Sequence, residues 1–161
     1  MKCRLEFKPR KGFDMTVKHL EKISGSEAEW GVYSENGIHE ESGLKYTELM
    51  AIHELRDDEW KRPVFKITAN NNRFVSGYKK LLASGLETYI TRSASGTFSN
   101  VDKVLKPVAE LGRKNADKVF GSKYWLKKNT KETIKRKGHS KPLVEFGDLR
   151  KIVRDKVIKK G

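Results

Sequence analysis

The side chains that could do chemistry are few in this sequence, and the pair His53-Glu54 comes nearest to a catalytic spacing. A metalloprotease helix places two histidines four residues apart around a glutamate, so that both imidazoles bind one zinc ion. Here the run is His53-Glu54-Leu55-Arg56-Asp57, and the second histidine is missing. We therefore predict that His53 packs on the apolar face of a helix with its polar edge hydrogen-bonded.

Two further groups contain potential metal ligands. His39-Glu40-Glu41 lies between turn signals, and Asp57-Asp58-Glu59 has the residue types that hold Mg²⁺ in a nuclease. Consecutive loop residues point in divergent directions, so we expect both groups to be solvated. His139 lies among lysines, which disfavour its protonation and repel cations. Cys3 is the only cysteine and allows no disulfide framework. We expect no catalytic residue, no metal site and no cofactor, hence no enzyme; a metal-dependent nuclease is the weakest alternative.

The positive charge is concentrated in the last third of the chain. The 161 residues include 35 Lys and Arg and 21 Asp and Glu, a formal net charge of +14. Residues 1–50 hold 8 basic and 9 acidic side chains, residues 51–100 hold 8 and 5, and residues 101–161 hold 19 and 7. This asymmetry indicates an anionic partner or an acidic protein surface, with a solvated basic face as the alternative. The candidate contact residues are Lys135, Arg136, Lys137 and Lys141.

Aromatic and basic side chains are clustered at one place, where Tyr124-Trp125 precedes Lys127-Lys128. Binding of single-stranded nucleic acid uses this combination, because bases stack on aromatic rings while cations neutralise phosphates. Trp125 fits a core or interface position equally well, and the sequence has no zinc-finger, homeodomain or RNA-recognition signature. Trp60 and Trp125 are the candidate interface anchors.

The hydrophobic pattern predicts short strands and longer helices. Apolar residues at alternate positions mark the strands, and spacings of three and four residues mark the helices. Strands are predicted at Lys2–Lys8, Glu29–Tyr33, Pro63–Ile67 and Arg154–Lys159. Helices are predicted at Asp14–Ile23, Tyr46–Leu55, about 72–91, Val101–Val119, Thr130–Lys137 and Gly147–Val153. Turns are predicted at Pro9–Gly12, Asn36-Gly37 and Ser42-Gly43. Asn100 is the expected N-cap of the third long helix, and Pro107 is expected to kink or restart that helix.

These elements predict an α+β fold, a small and mostly antiparallel sheet of short strands packed against two or three longer helices. We expect one domain over residues 1–161 with a basic C-terminal third. The predicted core residues are Leu81, Leu82, Val104, Leu105 and Val108. No apolar run approaches the roughly 20 residues of a membrane span, and charges occupy the N-terminal stretch that a signal peptide keeps apolar. We therefore expect an intracellular protein with no membrane partner.

Two sets of short motifs, taken together and in order, resemble one protein family. The first set is Trp30-Gly31-Val32-Tyr33, Ser42-Gly43-Leu44-Lys45-Tyr46, Ala51-Ile52-His53-Glu54-Leu55 and Arg62-Pro63-Val64-Phe65. The second set is Thr133-Ile134-Lys135-Arg136-Lys137-Gly138, Lys141-Pro142-Leu143-Val144, Gly147-Asp148-Leu149 and Ile152. This order resembles the tail-completion or neck proteins of tailed bacteriophages, a family of head–tail joining and virion morphogenesis components.

The resemblance covers nearly the whole chain and implies a structural assembly protein of the virion. It implies that copies form a closed ring, a hexamer, around the DNA channel of the head–tail connector, assembled in the host cytoplasm. The implied partners are neighbouring connector, tail-terminator or tail-tube proteins and the DNA that passes through the channel. On this interpretation the basic residues 132–153 form a folded corner rather than a free arm. The alternative from another class is a monomeric nucleic-acid-binding protein that uses the basic C-terminal third.

Overall fold

The computed structural model describes residues 11–58, 60–95, 100–143 and 148–159. The predicted strand Lys2–Lys8 lies outside the described residues. The described chain has the predicted α+β fold, with helices and a two-stranded antiparallel sheet. The helices are α1 (Lys11–Ser24), α2 (Tyr46–Leu55), α3 (Val64–Asn70), α4 (Asn72–Ala94), α5 (Asp102–Val119), α6 (Lys131–Lys137) and α7 (Asp148–Lys151). The strands are β1 (Glu27–Gly31) and β2 (Arg154–Ile158).

Most of the predicted helices are confirmed. The helix α2 has the predicted bounds, whereas α4 extends three residues beyond its predicted end. The helix α1 begins earlier than predicted, so Lys11 and Gly12 are helical and the turn predicted there is wrong for these two residues. The last short helix, α7, ends at Lys151 instead of Val153, because the chain turns there into the predicted strand β2.

The long helix α5 starts where the sequence predicts. The side-chain Oδ1 of Asn100 accepts a hydrogen bond from the backbone N–H of Asp102 at 3.0 Å, as an N-cap residue does. The helix then runs unbroken through Pro107, so the predicted restart is wrong. Pro107 is exposed and lines a surface depression together with Gly85 of α4.

The sheet pairs two segments from opposite ends of the chain. β1 and β2 are antiparallel, with Glu29 opposite Lys156 and Trp30 opposite Asp155. The predicted strand Glu29–Tyr33 is displaced, since β1 begins at Glu27 and ends at Gly31. The chain leaves the sheet there because the backbone N–H of Tyr33 donates to the Asn36 side chain at 2.7 Å, which starts a 3₁₀ turn.

The helix α5 lies at the centre of the fold, between the sheet on one side and α4 on the other. Trp30 of β1 lies against α5 at Gly112, where a β-carbon would come within 3.0 Å of the indole ring. The indole N–H of Trp30 donates to Thr68 Oγ1 at 3.0 Å, and the ring lies 5.1 Å from that of Tyr78. Gly112 is therefore the recess in α5 into which the sheet inserts its largest side chain.

The helix α4 buries an apolar stripe that includes Phe74, Tyr78 and Tyr89, as the spacing of its apolar residues predicts. Gly85 lies close to α5, where an added β-carbon would meet the backbone of Val104 at 3.3 Å. Leu81 lies at the edge of this stripe and is 36% exposed, so its prediction as a core residue is wrong. The other predicted core residues behave differently: Leu82 is partly buried against both core clusters, and Val104, Leu105 and Val108 are buried.

The predicted edge strand Pro63–Ile67 is wrong, because these residues enter the helix α3. The carboxylate of Glu54, near the end of α2, accepts hydrogen bonds from the N–H groups of Phe65 at 2.6 Å and Lys66 at 3.2 Å. A helix leaves its first N–H groups without partners, so this carboxylate stabilises the start of α3. Burial raises the pKa of the Glu54 carboxyl above its usual range.

The core consists of two clusters. The larger one joins buried residues from α2 to β2, among them Met50, Val64, Phe74, Leu126, Leu143, Leu149 and Val153. The smaller one is Ile23, Tyr89, Val101, Val104 and Leu105. Because Leu143, Leu149 and Val153 belong to the larger cluster, much of the basic C-terminal third packs into the fold. No helix in the described ranges is both long enough and apolar enough to cross a membrane.

Candidate functional site

The candidate contact residues lie on α6 and the loop after it, and residues 129–143 are called the basic corner below. The helix begins at Thr130, whose hydroxyl oxygen accepts from the N–H of Thr133 at 3.1 Å. It ends at Gly138, which takes a left-handed conformation with φ of 72° and donates its N–H to Ile134 O at 2.9 Å. Both ends therefore carry favourable caps, and the segment is a defined helix as the sequence predicts.

A chain of hydrogen bonds fixes the basic corner to the body of the protein. Arg62 donates through Nη2 to Asn129 Oδ1 at 2.9 Å, and Asn129 Nδ2 donates to Lys141 O at 3.2 Å. The N–H of Gly121 donates to Pro142 O at 2.9 Å, and Leu143 is buried in the larger core cluster. Asn129 is only 7% exposed, so its two bonds are shielded from water.

The four predicted contact residues are close in sequence and differ in exposure. Lys135, Arg136 and Lys141 are exposed, whereas Lys137 is half-buried. The positive charge of Lys137 is close enough to His53 on α2 to contribute to the lowered pKa of its imidazole ring. The expectation that none of the four is buried is therefore met, but only three of them stand fully at the surface.

His53 is half-buried and lies against positive charges. Burial of the ring, followed by the charges of Arg62, Arg56 and Lys137, lowers the pKa of His53 from 6.5 to about 4. Its Nδ1 is buried without a hydrogen-bond partner, so the predicted hydrogen-bonded polar edge is wrong for this atom. Arg62 Nε lacks a partner in the same way. The cationic surroundings make this site unsuitable for a metal cation.

His39 and His139 stabilise their own loops. The Nδ1 of His39 accepts from the N–H of Ser42 at 3.3 Å and lies 3.0 Å from the Ser42 hydroxyl. The ring of His39 packs edge-on against Tyr46, with 5.5 Å between centroids. The Nδ1 of His139 accepts from the N–H of Lys141 at 3.3 Å.

The acidic run at 57–59 does not present a shared face in its described part. Asp58 accepts from Arg56 Nε at 2.9 Å and from the N–H of Trp60 at 3.0 Å. Asp57 forms an ion pair with Lys61 at 3.3 Å, and Glu59 lies outside the described residues. Throughout the described residues, no three His, Cys, Asp or Glu side chains are grouped so that they could hold a metal ion.

The two candidate interface anchors are both half-buried. Trp125 packs against the larger core cluster, with ring centroids 5.2 Å from Phe74 and 4.7 Å from Tyr124. Trp60 lies under Lys127, whose Nζ is 5.2 Å from the ring centroid. Tyr124 is 80% exposed, so this cluster combines buried rings with one ring at the surface.

Sequence reasoning missed the residues that connect these surfaces. Arg62 was noted only as part of a motif, Glu54 only beside His53 and as part of a motif, and Asn129 was given no role. Their partners are 67, 12 and 11 residues away in sequence. Hydrophobic periodicity does not predict contacts between residues that are distant in sequence. The one local indication is the Arg62-Pro63 pair, because a long polar side chain there directly precedes the proline at the start of a helix.

Comparisons with known proteins give no match: no family model, no curated protein and no solved structure is similar to this chain at a significant level.

Proposed function

We propose that this protein is a structural component of a tailed-phage virion, of the neck or tail-completion type. Copies would form a ring around the DNA channel and join head to tail. The supporting observation is that the two motif sets of the resemblance, which are about 100 residues apart, meet in one packed unit. Val64 of the first set lies in the same core cluster as Leu143 and Leu149 of the second set. Beside the motifs, Asn36 donates to Ile152 O at 3.2 Å, and Arg62 donates to Asn129 at 2.9 Å.

This convergence gives the basic corner the properties of an assembly surface. The exposed cations Lys135, Arg136 and Lys141 stand on backbone that caps, hydrogen bonds and Leu143 hold in place. A fixed array of charges can recognise a partner without first losing conformational entropy, which a free arm cannot do. The partner would be the DNA in the channel or an acidic face of a neighbouring connector or tail protein.

Exposed apolar side chains support assembly independently of charge. Leu55 is 76% exposed, Tyr124 80% and Ile38 59%. Single apolar residues at a surface are ordinary, but large ones on different elements suit a subunit that is covered by neighbours on more than one side. The half-buried rings of Trp60 and Trp125 are the proposed anchors of such contacts.

A monomeric nucleic-acid-binding protein is the second candidate, and one observation favours it. Tyr124 stands exposed against Trp125 while Lys127 lies over Trp60, so stacking surfaces and cations are adjacent. Such a protein would bind short single-stranded DNA as a monomer, with an affinity that falls steeply as salt is raised.

The proposed function is tested by removing the gene from the phage that carries it. Particles made without the protein should accumulate as separate filled heads and finished tails, and supplying the wild-type protein should restore joined particles. Electron cryo-microscopy of the restored particles should then locate the protein as a ring at the head–tail junction. Normal particles in its absence, or its location elsewhere, would remove the proposal.

A further inference from the structure

One surface without an assigned role is a groove between α4 and α5, called the α4–α5 groove below. It has a volume of about 330 Å³ and is lined by Arg73, Phe74, Gly77, Leu111, Asn115, Lys118 and Trp125. Its floor is apolar and aromatic, and Arg73 and Lys118 at its border are exposed. Within the described residues neither cation forms an ion pair; Lys118 Nζ donates only to Asn115 Oδ1 at 3.3 Å.

A second surface has the opposite charge. It is the loop of residues 37–43, called the acidic loop below. Gly37 and Gly43 take positive φ values of 83° and 68°, which let the chain reverse at both ends of the loop. The loop is held by the bonds His39 N–H to Leu44 O at 2.8 Å and Gly43 N–H to His39 O at 2.9 Å.

The tip of this loop presents one apolar and two acidic side chains. Ile38 is 59% exposed, and Glu40 and Glu41 are exposed as well. Neither glutamate has an ion pair or hydrogen bond with another described residue. Because the loop backbone is fixed by its internal bonds, these three side chains are presented in a constant arrangement rather than on a floppy segment.

The α4–α5 groove lies on one side of α5, and the acidic loop lies beyond the opposite side, near the sheet. The loop and the groove of one chain therefore do not meet. Gly112 and Arg113 face the sheet, through Trp30 and Asp155. Leu111 and Lys118 face the groove, and with roughly 100° of rotation per residue they lie on the other side of the helix. The acidic loop follows the 3₁₀ turn that Asn36 ties to Ile152 O, at the sheet end of the molecule.

We propose that the acidic loop of one copy docks into the α4–α5 groove of the next copy. Ile38 would lie on the rings of Phe74 and Trp125, while Glu40 and Glu41 pair with Arg73 and Lys118. The contact uses two different surfaces of the same chain, and repeated contacts of this kind close into a ring when the rotation fits. That it is the ring contact of a virion rests on the proposed function; the contact itself rests on the two surfaces.

A second copy is the occupant that the charges favour. The acidic loop contains Glu40 and Glu41 and no Lys or Arg, whereas the lining of the α4–α5 groove contains Arg73 and Lys118 and no Asp or Glu, so a head-to-tail arrangement brings opposite charges together. The contact is expected to weaken as ionic strength rises, because the charges are exposed and screened over about 8–10 Å.

The test is reciprocal charge reversal on the full chain, read by sedimentation equilibrium. Glu40→Lys with Glu41→Lys, and separately Arg73→Glu with Lys118→Glu, should each weaken self-association by about tenfold or more. An equimolar mixture of the two variants should associate nearly as tightly as wild type, since the reversed loop now meets the reversed groove. The matched control is Lys79→Glu with Lys80→Glu, which makes the same charge change on an exposed part of α4 and should leave association unchanged. Circular dichroism checks that each variant is folded.

Disulfide cross-linking detects self-association that is too weak to be measured by sedimentation equilibrium. In a Cys3→Ser background, Glu41→Cys and Lys118→Cys are made in separate chains, mixed and mildly oxidised. A disulfide dimer that forms mainly in the mixture supports the contact. Equal yields from each chain alone, no dimer at all, or reversed variants that associate like wild type would overturn it. The neck proposal would stand in those cases if gene removal still left heads and tails unjoined.

Discussion

The packing of Trp30 against Gly112 connects the sheet to the helices of this protein. The indole fills the recess at Gly112, bonds to Thr68 and lies against Tyr78, so it joins β1 to three helices. Neither residue can be enlarged or moved without disturbing the other. The sequence suggested Trp30 as a strand residue but contained no local sign of its partner 82 positions later.

Gly112→Ala should destabilise the protein, although alanine is the better helix former. The new β-carbon would lie within 3.0 Å of the Trp30 ring, so the ring must move and its bond to Thr68 must lengthen or break. We expect a loss of about 1–3 kcal/mol in the free energy of unfolding, measured by urea denaturation. Gly31→Ala is the control, since a β-carbon there meets nothing within 4 Å. Equal midpoints for the two variants would contradict this packing.

His53 should make the protein less stable in mild acid. Its pKa is about 4 when folded and near 6.5 when unfolded, so between these values the unfolded chain binds more protons. The stability that depends on a neutral His53 is therefore fully present above pH 6.5. It is lost as the pH falls from 6.5 to about 4, and His53 causes no further loss below that pH. Glu54, whose pKa is raised, acts in the opposite direction, so the comparison must be between variants.

The measurement is the urea midpoint of wild type, His53→Gln and His39→Gln at several pH values between 4 and 7. The acid-side loss of stability should be smaller in His53→Gln, because glutamine does not titrate. His39→Gln is the matched control, since it makes the same substitution at a ring whose hydrogen bonds lie within its own loop. Parallel curves for wild type and His53→Gln would show that the ring titrates alike in both states.

Among the secondary-structure elements, the long helices show how well the spacing of apolar residues predicts which side chains are buried. The stripe on α5 was predicted correctly at Val104, Leu105 and Val108, because a long helix averages over many positions. On α4 the buried stripe includes Phe74, Tyr78 and Tyr89, whereas Leu81 lies at its exposed edge. Leu81 and Leu82 are adjacent in sequence, so the apolar pattern did not distinguish the one that packs against the core.

Leu105→Ala and Leu81→Ala should therefore differ in their effects. Leu105 is 6% exposed in the smaller core cluster, and its truncation should cost roughly 2–5 kcal/mol of unfolding free energy. Leu81 is 36% exposed, and the same change there should cost much less. Thermal or urea unfolding of both variants gives the comparison, and similar losses would mean that Leu81 is covered in solution.

Short elements were harder to predict, because their partners are distant in sequence. The run Pro63–Ile67 has the alternation and the β-branched residues of a strand, yet Glu54 supplies hydrogen bonds that make it the start of α3. The basic corner was predicted as a folded element from Gly138, Pro142 and Leu143, and this was correct. The bonds that hold it, through Arg62 and Asn129, could not be read from its own residues.

Asn129→Ala should loosen the basic corner. The change removes the acceptor of Arg62 and the donor to Lys141 O, and leaves both groups without their partners. We expect a loss of about 1–3 kcal/mol and faster tryptic cleavage within residues 131–141. Asn70→Ala is the matched control, because Asn70 is exposed and donates only to Lys66 O on its own helix. Unchanged cleavage in Asn129→Ala would show that core packing alone holds the segment.

For the whole molecule, the uneven charge distribution is the main property to test. Replacing Lys135, Arg136 and Lys141 with glutamate should leave the isolated chain folded, because all three are exposed. Each exposed pair contributes only about 0–1 kcal/mol, but several together set register and rate of encounter. On the proposed function, the variant should join purified heads and tails less efficiently than wild type, and the difference should shrink at high salt.

The control for this experiment is reversal of Lys18, Lys22 and Lys80, which are exposed on α1 and α4. It changes the net charge equally and should join heads and tails as wild type does. A normal yield from the variant of the basic corner would mean that its lysines and arginine are only a solvated face. That outcome would agree with the alternative stated from composition.

The pairing of β1 with β2 has a consequence for how the protein is made. The paired residues are more than 120 positions apart, so β1 is synthesised well before β2. While the ribosome is still working, α3, α4 and α5 can already pack through local contacts, but β1 has neither its partner strand nor a closed edge. Newly made chains therefore pass through a stage at which β1 exposes unpaired backbone. Translation that pauses or stops before residue 154 should leave chains prone to aggregation, a risk that rapid synthesis through β2 would limit.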